Sequence, residues 1–369
     1  MKRVITTVGT SLFTNYLDRK KDIEPHYKSI KELPHKEWEE RRSRIDIIKK
    51  SVLGWAKNNP KASAEIASIL KIKESVKDDL EVYLLATDTI VSRLAAEIIE
   101  EVLLDNGNIR VMFNPQTDVI EGLQVEDYKF FVETGLRKLV ERIEQIINYY
   151  PDNVIFNITG GYKGVIPYLT ILGQINRCEI VYIYEETETL ITIPKVPISV
   201  DFRVFDRYYE EILQLEEVIN NYSRAKNEKF QAFEELEKMG LVEKIDSGAV
   251  LSPIGIILFK SFKNQYFVFY CSDDVWDEIQ NQREIQRVIA EKFSNKQIRE
   301  NKTEDKNGHY VYDDGNNPNR IYYFEHDGKI YIYKTFEDEE AAKEYIEKSI
   351  DKEQIIKKSK KREWRLKDV

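Results

Sequence analysis

Residues 153–168 read NVIFNITGGYKGVIPY. Val154, Ile155 and Phe156 are a short apolar, β-favouring run, which fits a buried parallel strand. Thr159, Gly160 and Gly161 then break the pattern. Lys163 and Gly164 follow, and Val165 to Leu172 resume as an apolar helical face, with Pro167 tolerable only in the first helical turn. A strand, a Gly-Gly turn and a helix start gather backbone N–H groups and a positive dipole end at one point, and Lys163 adds a full charge. That combination is suited to an anion. It lacks the glycine spacing and the Lys-Ser/Thr pair of a Walker loop. The plain alternative is a tight connection whose glycines serve geometry alone.

A second stretch repeats the arrangement. Arg3 to Leu12 read RVITTVGTSL: a strand, a Gly9-Thr10-Ser11 turn, then a helix start carrying Phe13, Asn15 and Tyr16. Two such turns on one parallel sheet open at the carboxyl ends of strands, where ligands of open α/β sheets bind. Together, TTVGTSLFTN and NITGGYKGVIP resemble the two signature loops of the CARF domain, the sensor of CRISPR-associated effectors. The resemblance covers roughly residues 1–200. It implies a homodimer that binds a cyclic oligoadenylate, with cyclic tetra-adenylate the expected ring, across its two-fold interface. Gly9, Thr10, Ser11, Asn15, Thr87, Thr159, Gly160, Gly161 and Lys163 are the candidate ligand-binding residues, with no cofactor beyond that activator.

The surrounding chain fits a doubly wound, Rossmann-like sheet. Strands are expected at 4–8, 81–85, 108–113, 154–156 and 179–184, with an edge strand at 188–194. Helices are expected at 90–104 and 125–150. The charged segment 18–77 reads as helical, with amphipathic stretches at 37–55 and 62–70, and receives no chemistry. Thr87 to Thr89 lie at the same sheet edge as the loops, either touching a ribose or base or acting as a helix N-cap.

From Tyr208 the pattern changes. Helices at 208–221 and 228–239, a Gly240 cap, two short strands around Asp246-Ser247-Gly248 and a helix from Pro253 follow. MGLVEKIDSGAVLSPIGIILF resembles the wing region of winged helix-turn-helix domains. Its basic residues, Arg224, Lys226 and Lys229, are offset by nearby acids, which favours a structural adaptor over an operator-binding module.

The last hundred residues read as a strand at 265–271, one amphipathic helix at 275–293, a polar loop at 296–308, a strand at 309–312, a hairpin at 320–336 and a short helix at 339–350. The hairpin RIYYFEHDGKIYIYKTF has period-two runs about a His-Asp-Gly turn. It resembles the central hairpin of the RelE family of ribosome-dependent ribonuclease toxins. The resemblances divide the chain into a sensor (1–205), a winged-helix linker (206–263) and a small α+β effector (264–369). RelE-like cleavage is metal-independent: an RNA 2′-hydroxyl attacks the adjacent phosphate, and basic side chains neutralise the charge that develops. The resemblance implies Arg320 as the phosphate clamp, Lys334 as a second cation, and His326, His309 and Tyr323 as proton carriers, with ribosome and mRNA as partners. The family's basic cluster after the hairpin is absent; EDEEAA stands there. The basic run 357–365 is expected either to replace it, with Trp364 stacking on a base, or to be a frayed tail.

Composition limits the alternatives. The 369 residues carry 56 basic and 65 acidic side chains, a net charge of −9, so any nucleic-acid contact is expected to be local. Two distant cysteines, Cys178 and Cys271, and only four histidines favour buried thiols over a disulfide or zinc site. Without a signal peptide or long apolar span, the chain is expected to be cytoplasmic and off the membrane. The whole reading is a ring-activated endoribonuclease of type III CRISPR defence. The alternatives are a ligand-regulated winged-helix transcription factor and a HEPN-type ribonuclease using Arg320 and His326, whose motif belongs on a helix. A restriction-type metal nuclease has only Glu325, Asp327 and Lys329 as a near match.

Overall fold

The computed structural model describes residues 1–104, 107–124, 127–147, 151–184, 189–246, 248–313, 315 and 318–366. Val125, Tyr150, Glu188 and Ser247, which bound or interrupt expected elements, lie outside the described residues. The chain forms two compact units: Met1–Asp201 with Gln214–Ile257, and Phe202–Leu213 with Leu258–Val369.

The first unit is built on a seven-stranded sheet. Its strands are β1 (Lys2–Val8), β2 (Leu80–Thr87), β3 (Ile109–Met112), β4 (Val119–Ile120), β5 (Val154–Asn157), β6 (Glu179–Tyr184) and β7 (Thr189–Ile193). The order is β3-β2-β1-β5-β6-β7, with β4 beside β2; β7 alone is antiparallel. The chain leaves β1 for β2 on one side and later returns to β5 on the other. The carboxyl ends of β1 and β5 therefore flank the switch point where open α/β sheets leave a crevice. The consecutive residues Leu84, Leu85 and Ala86 are fully buried, so both faces of β2 are covered, as parallel strands require.

Four helices position the crevice: α1 (Ser11–Leu17), α2 (Ala64–Ser75), α3 (Ile90–Leu103) and α4 (Ile166–Ile175). Thr89 caps α3, accepting from the Ser92 N–H at 3.2 Å. Pro167 falls in the first turn of α4, the place the sequence required. Of the helix expected at 125–150, the described residues form a turn at Tyr128–Phe130, a π-helical turn at Phe131–Gly135 and a helix at Leu136–Ile147. In the segment 206–263, helices Tyr222–Glu228 and Phe230–Lys238 precede a hairpin of β8 (Val242–Ile245) and β9 (Gly248–Leu251). Gly240, at φ +70°, ends the second helix as expected.

The second unit holds a six-stranded sheet in the order β11-β12-β13-β14-β10-β15. These strands are β10 (Tyr266–Cys271), β11 (Thr303–Lys306), β12 (His309–Tyr312), β13 (Arg320–His326), β14 (Lys329–Phe336) and β15 (Lys360–Arg365). The β13–β14 hairpin has His326 opposite Lys329, and Asp327 and Gly328 take φ of +48° and +69°, as a two-residue I′ turn demands. Three expectations are corrected. Segment 296–308 is not a loop: it is a helix, Lys296–Asn301, followed by β11. The helix at 275–293 is broken at Gln282 into α5 (Asp273–Asn281) and Arg283–Val288. The amide of Gln286 donates to the carbonyls of Ile279 and Gln280 at the break, beside the Gln282 N–H that also reaches Ile279. Third, the basic run 357–365 is not frayed: Lys357 and Lys358 end a helix, Lys352–Lys358, and the rest is β15, antiparallel to β10, with Trp364 packed edge-on to Trp276 at 5.9 Å and Arg362 over the Trp276 ring at 5.1 Å. Among the described residues no helix is long and apolar enough to cross a membrane.

Candidate functional site

The two glycine loops meet at the switch point. β1 and β5 are direct neighbours, with Thr6 opposite Asn157, so Gly9 and Gly160–Gly161 leave the sheet side by side. Gly161 has φ +91°, and a Cβ there would stand 2.1 Å from Thr7 Oγ1. Only glycine fits that backbone and that approach.

What fills the space between the loops was not legible as chemistry in the sequence. Glu65, in the first turn of α2, is buried to 1% exposure. Its Oε1 accepts the Gly9 N–H at 2.9 Å and the Gly161 N–H at 3.0 Å; its Oε2 accepts the Ser11 hydroxyl at 3.1 Å. The loop donors expected to await an external anion thus already hold an internal one. A signal existed. Glu65, Ser68, Ile69 and Ile72 share one buried helical stripe, and an acid in that stripe needs donors. Ser68 continues the polar contact: the Asn157 amide donates to Ser68 Oγ at 2.7 Å and to Thr6 Oγ1 at 3.2 Å.

The other expected ligand residues are dispersed around this centre. Thr10 is exposed and starts α1 without a side-chain cap bond. Asn15 donates to the Ala62 carbonyl at 3.1 Å. Thr159 accepts the Ile183 N–H at 2.9 Å, fixing its loop to β6. Thr87 is buried and its hydroxyl lies 3.2 Å from that of Thr89, the N-cap. Ser92 joins the two strand ends, accepting the Thr87 N–H at 2.9 Å and donating to the Val8 carbonyl at 2.8 Å. Lys163 is exposed and makes no ion pair with another described residue. It is the one charged side chain among the expected ligand residues.

In the second unit the expected catalytic side chains are distributed differently. Arg320 is 7% exposed and pairs with Asp313 at 2.9 Å, while also donating to the Asn319 carbonyl at 2.9 Å. Lys334 pairs with Glu278 of α5. Tyr323 is in the core, its hydroxyl 2.9 Å from that of Thr303. His326 is exposed in the hairpin turn, 3.4 Å from Asp327. His309 is buried between the Tyr333 hydroxyl, 2.9 Å from Nδ1, and the Lys348 carbonyl, 2.8 Å from Nε2. A carbonyl only accepts, so Nε2 carries the proton in this network. Burial pushes the Tyr333 phenol up, so it stays protonated beside that ring. An open hollow of about 670 Å³ at Asn307, Gly308 and 347–353 has none of Arg320, Lys334, His326 and Tyr323 in its wall. Among the described residues no group of three or more His, Cys, Asp or Glu side chains is placed to hold a metal ion.

In the middle segment, Arg224 pairs with Glu228, Lys238 with Glu234, and both Lys226 and Lys244 with Glu237. Burial alone would push Glu237 up, but Lys226, Tyr222 and Lys244 hold its carboxyl down at about 2. These cations are already neutralised.

Residues 60–196 match the model of a family described as CRISPR-associated protein (Cas_APE2256). The matched range contains Glu65, Thr87 and the whole second loop. A solved structure, Can2 from Sulfobacillus thermosulfidooxidans in complex with cyclic tetra-adenylate, aligns at 12% identity over 69% of this chain and 70% of that one, with a TM-score of 0.21. At so low a score the architecture rests on the sheet order itself, and the similarity to a CRISPR-associated family rests on residues 60–196.

Proposed function

We propose that the chain is a cyclic-oligoadenylate sensor joined to a ribonuclease, acting in CRISPR-associated defence. The observation that carries the sensing half is the pairing of two glycine loops at one switch point with an exposed Lys163 that makes no ion pair with another described residue, the second loop and Lys163 lying inside a segment that matches a CRISPR-associated family. Two copies of the chain present two Lys163 side chains to a ring of phosphates, with cyclic tetra-adenylate the preferred ring. Charge-assisted contacts of this kind are the strong ones.

The effector half is a metal-independent, ribosome-dependent cleavage of mRNA by residues 264–369, with the segment 206–263 as a winged-helix adaptor. Arg320 and Lys334 stand on the neighbouring strands β13 and β14, each beside one carboxylate. A phosphate entering there exchanges with Asp313 and Glu278, and the ribosome supplies the in-line positioning the small unit lacks. Of the expected proton carriers, His326 stands at the other end of β13 from Arg320 and His309 is buried with both ring nitrogens engaged, so this reading assigns the proton transfer to neither, and Tyr323 supports the sheet. The transcription-factor alternative is less favoured because the basic side chains around the β8–β9 hairpin are paired with acids. The HEPN alternative is less favoured because Arg320 and His326 lie on a strand.

Direct titration with cyclic tetra-adenylate tests the sensing half. Lys163→Ala should weaken binding by roughly ten- to a hundredfold, with thermal stability unchanged because the side chain is exposed. Unchanged affinity would remove Lys163 from the site.

A further inference from the structure

The Glu65 carboxylate is buried in the first unit, and it sits on the donors an anion would use. Three donors from two loops converge on it within 3.1 Å. The Gly9 and Gly161 N–H groups share a single oxygen, Oε1, so one atom bridges β1 and β5. A Cβ at Gly160 would lie 2.6 Å from the same oxygen, so this residue too is shaped around the acid. Ser63 caps α2, accepting the Ile66 N–H at 3.2 Å, and fixes the turn that carries Glu65. The Ala64 N–H reaches Ser11 Oγ at 3.4 Å, tying the same turn to the first loop.

We infer that Glu65 is a positioning residue that acts as an internal anion, fixing the two loops and setting the affinity of the site for phosphate. This rests on the cyclic-oligoadenylate reading for its ligand, though not for its geometry. Two consequences follow from a fixed negative charge under the loops. The Gly9 and Gly161 N–H groups are closed to the ring's phosphates, which must be met by Lys163 and by groups facing outward. The carboxylate also repels every phosphate that approaches, so the site binds an anionic ring less tightly than the same loops would without the charge. A purely structural clamp has no such effect on affinity.

Glu65→Gln separates the two roles. The amide oxygen still accepts both glycine N–H groups, and the amide nitrogen can donate to Ser11 Oγ, so the loops keep their shape while the charge is gone. Cyclic tetra-adenylate should bind this variant roughly tenfold more tightly than the wild type, with the gain shrinking as salt is raised. Glu65→Ala removes the acceptor. Amide exchange at Gly9 and Gly161 should then quicken at least roughly tenfold relative to wild type, while amides of β6 are unmoved. Equal or weaker binding by Glu65→Gln would overturn the internal-anion role. Unchanged exchange in Glu65→Ala would overturn the positioning role. If neither wild type nor Glu65→Gln binds any cyclic oligoadenylate, the sensor reading fails. The internal anion is then judged on inorganic pyrophosphate, which Glu65→Gln should bind more tightly than wild type; equal binding would overturn it.

Discussion

Gly161 shows how tightly the loop geometry is set by single residues. Its positive φ and its contact with Thr7 leave no room for a side chain, so Gly161→Ala should destabilise the protein by about 1–3 kcal/mol, measured by chemical denaturation. Wild-type stability in that variant would show that the loop relaxes freely and that the approach of β1 to β5 is not enforced there. Gly160→Ala meets a movable side chain rather than backbone and bears instead on where Glu65 sits. At this scale the glycines were readable as glycines, because a break between an apolar strand and an apolar helix needs them. Their partner was not. Glu65 lies in a charged segment whose default is a solvated face, and only its place in the buried stripe of α2 distinguishes it from its neighbours. Arg320 illustrates the converse. Its type and position suggested a free phosphate clamp, yet a guanidinium starting a strand next to Asp313 is most simply a paired one.

Among the elements, the alternating pattern of strands and helices in 1–200 and the hairpin 320–336 were legible because each has a strong period and clear turn residues. The strands β11 and β15 were not. Both are short and rich in charge, and their pairing with β12 and β10 is a tertiary fact that no local period announces. β15 works because lysine and arginine stems lie along apolar surface while their ends reach Asp206 and Asp273. The same strand carries a titratable contact. Burial, and then the Asp206 carboxylate beside it, push Glu363 up to about 7. The unfolded chain holds this proton only to the ordinary carboxylate range. The folded state therefore binds the proton more tightly, so the contribution of Glu363 to stability is greatest at low pH and falls as pH rises through the ordinary range toward about 7. Glu363→Gln, which stays neutral, should lose less stability than wild type between about pH 5 and about pH 8. Thermal melts across that range check this, and parallel curves would place the Glu363 carboxyl in water.

For the molecule as a whole, a net charge of −9 argues against a surface that coats nucleic acid, and Arg224, Lys226, Lys238 and Lys244 are already paired with acids. Nucleic acid must then be met locally, which suits cleavage on a ribosome better than tight operator binding. A ring that switches such an effector from about 1% to about 99% active must favour one state by about 5.5 kcal/mol, a sum within reach of several phosphate contacts in two copies. The most direct test adds cyclic tetra-adenylate to a reconstituted translation reaction containing the purified protein and maps mRNA ends, with ribosome-free RNA and an Arg320→Lys variant alongside. Lysine keeps the charge opposite Asp313, so loss of activity there reports the bidentate phosphate contact rather than an unpaired buried acid. The expected result is cleavage of translated mRNA only when the ring is present, with Arg320→Lys much slower. Ring binding without any cleavage, or cleavage that ignores the ring, would contradict the coupling of sensor to ribonuclease.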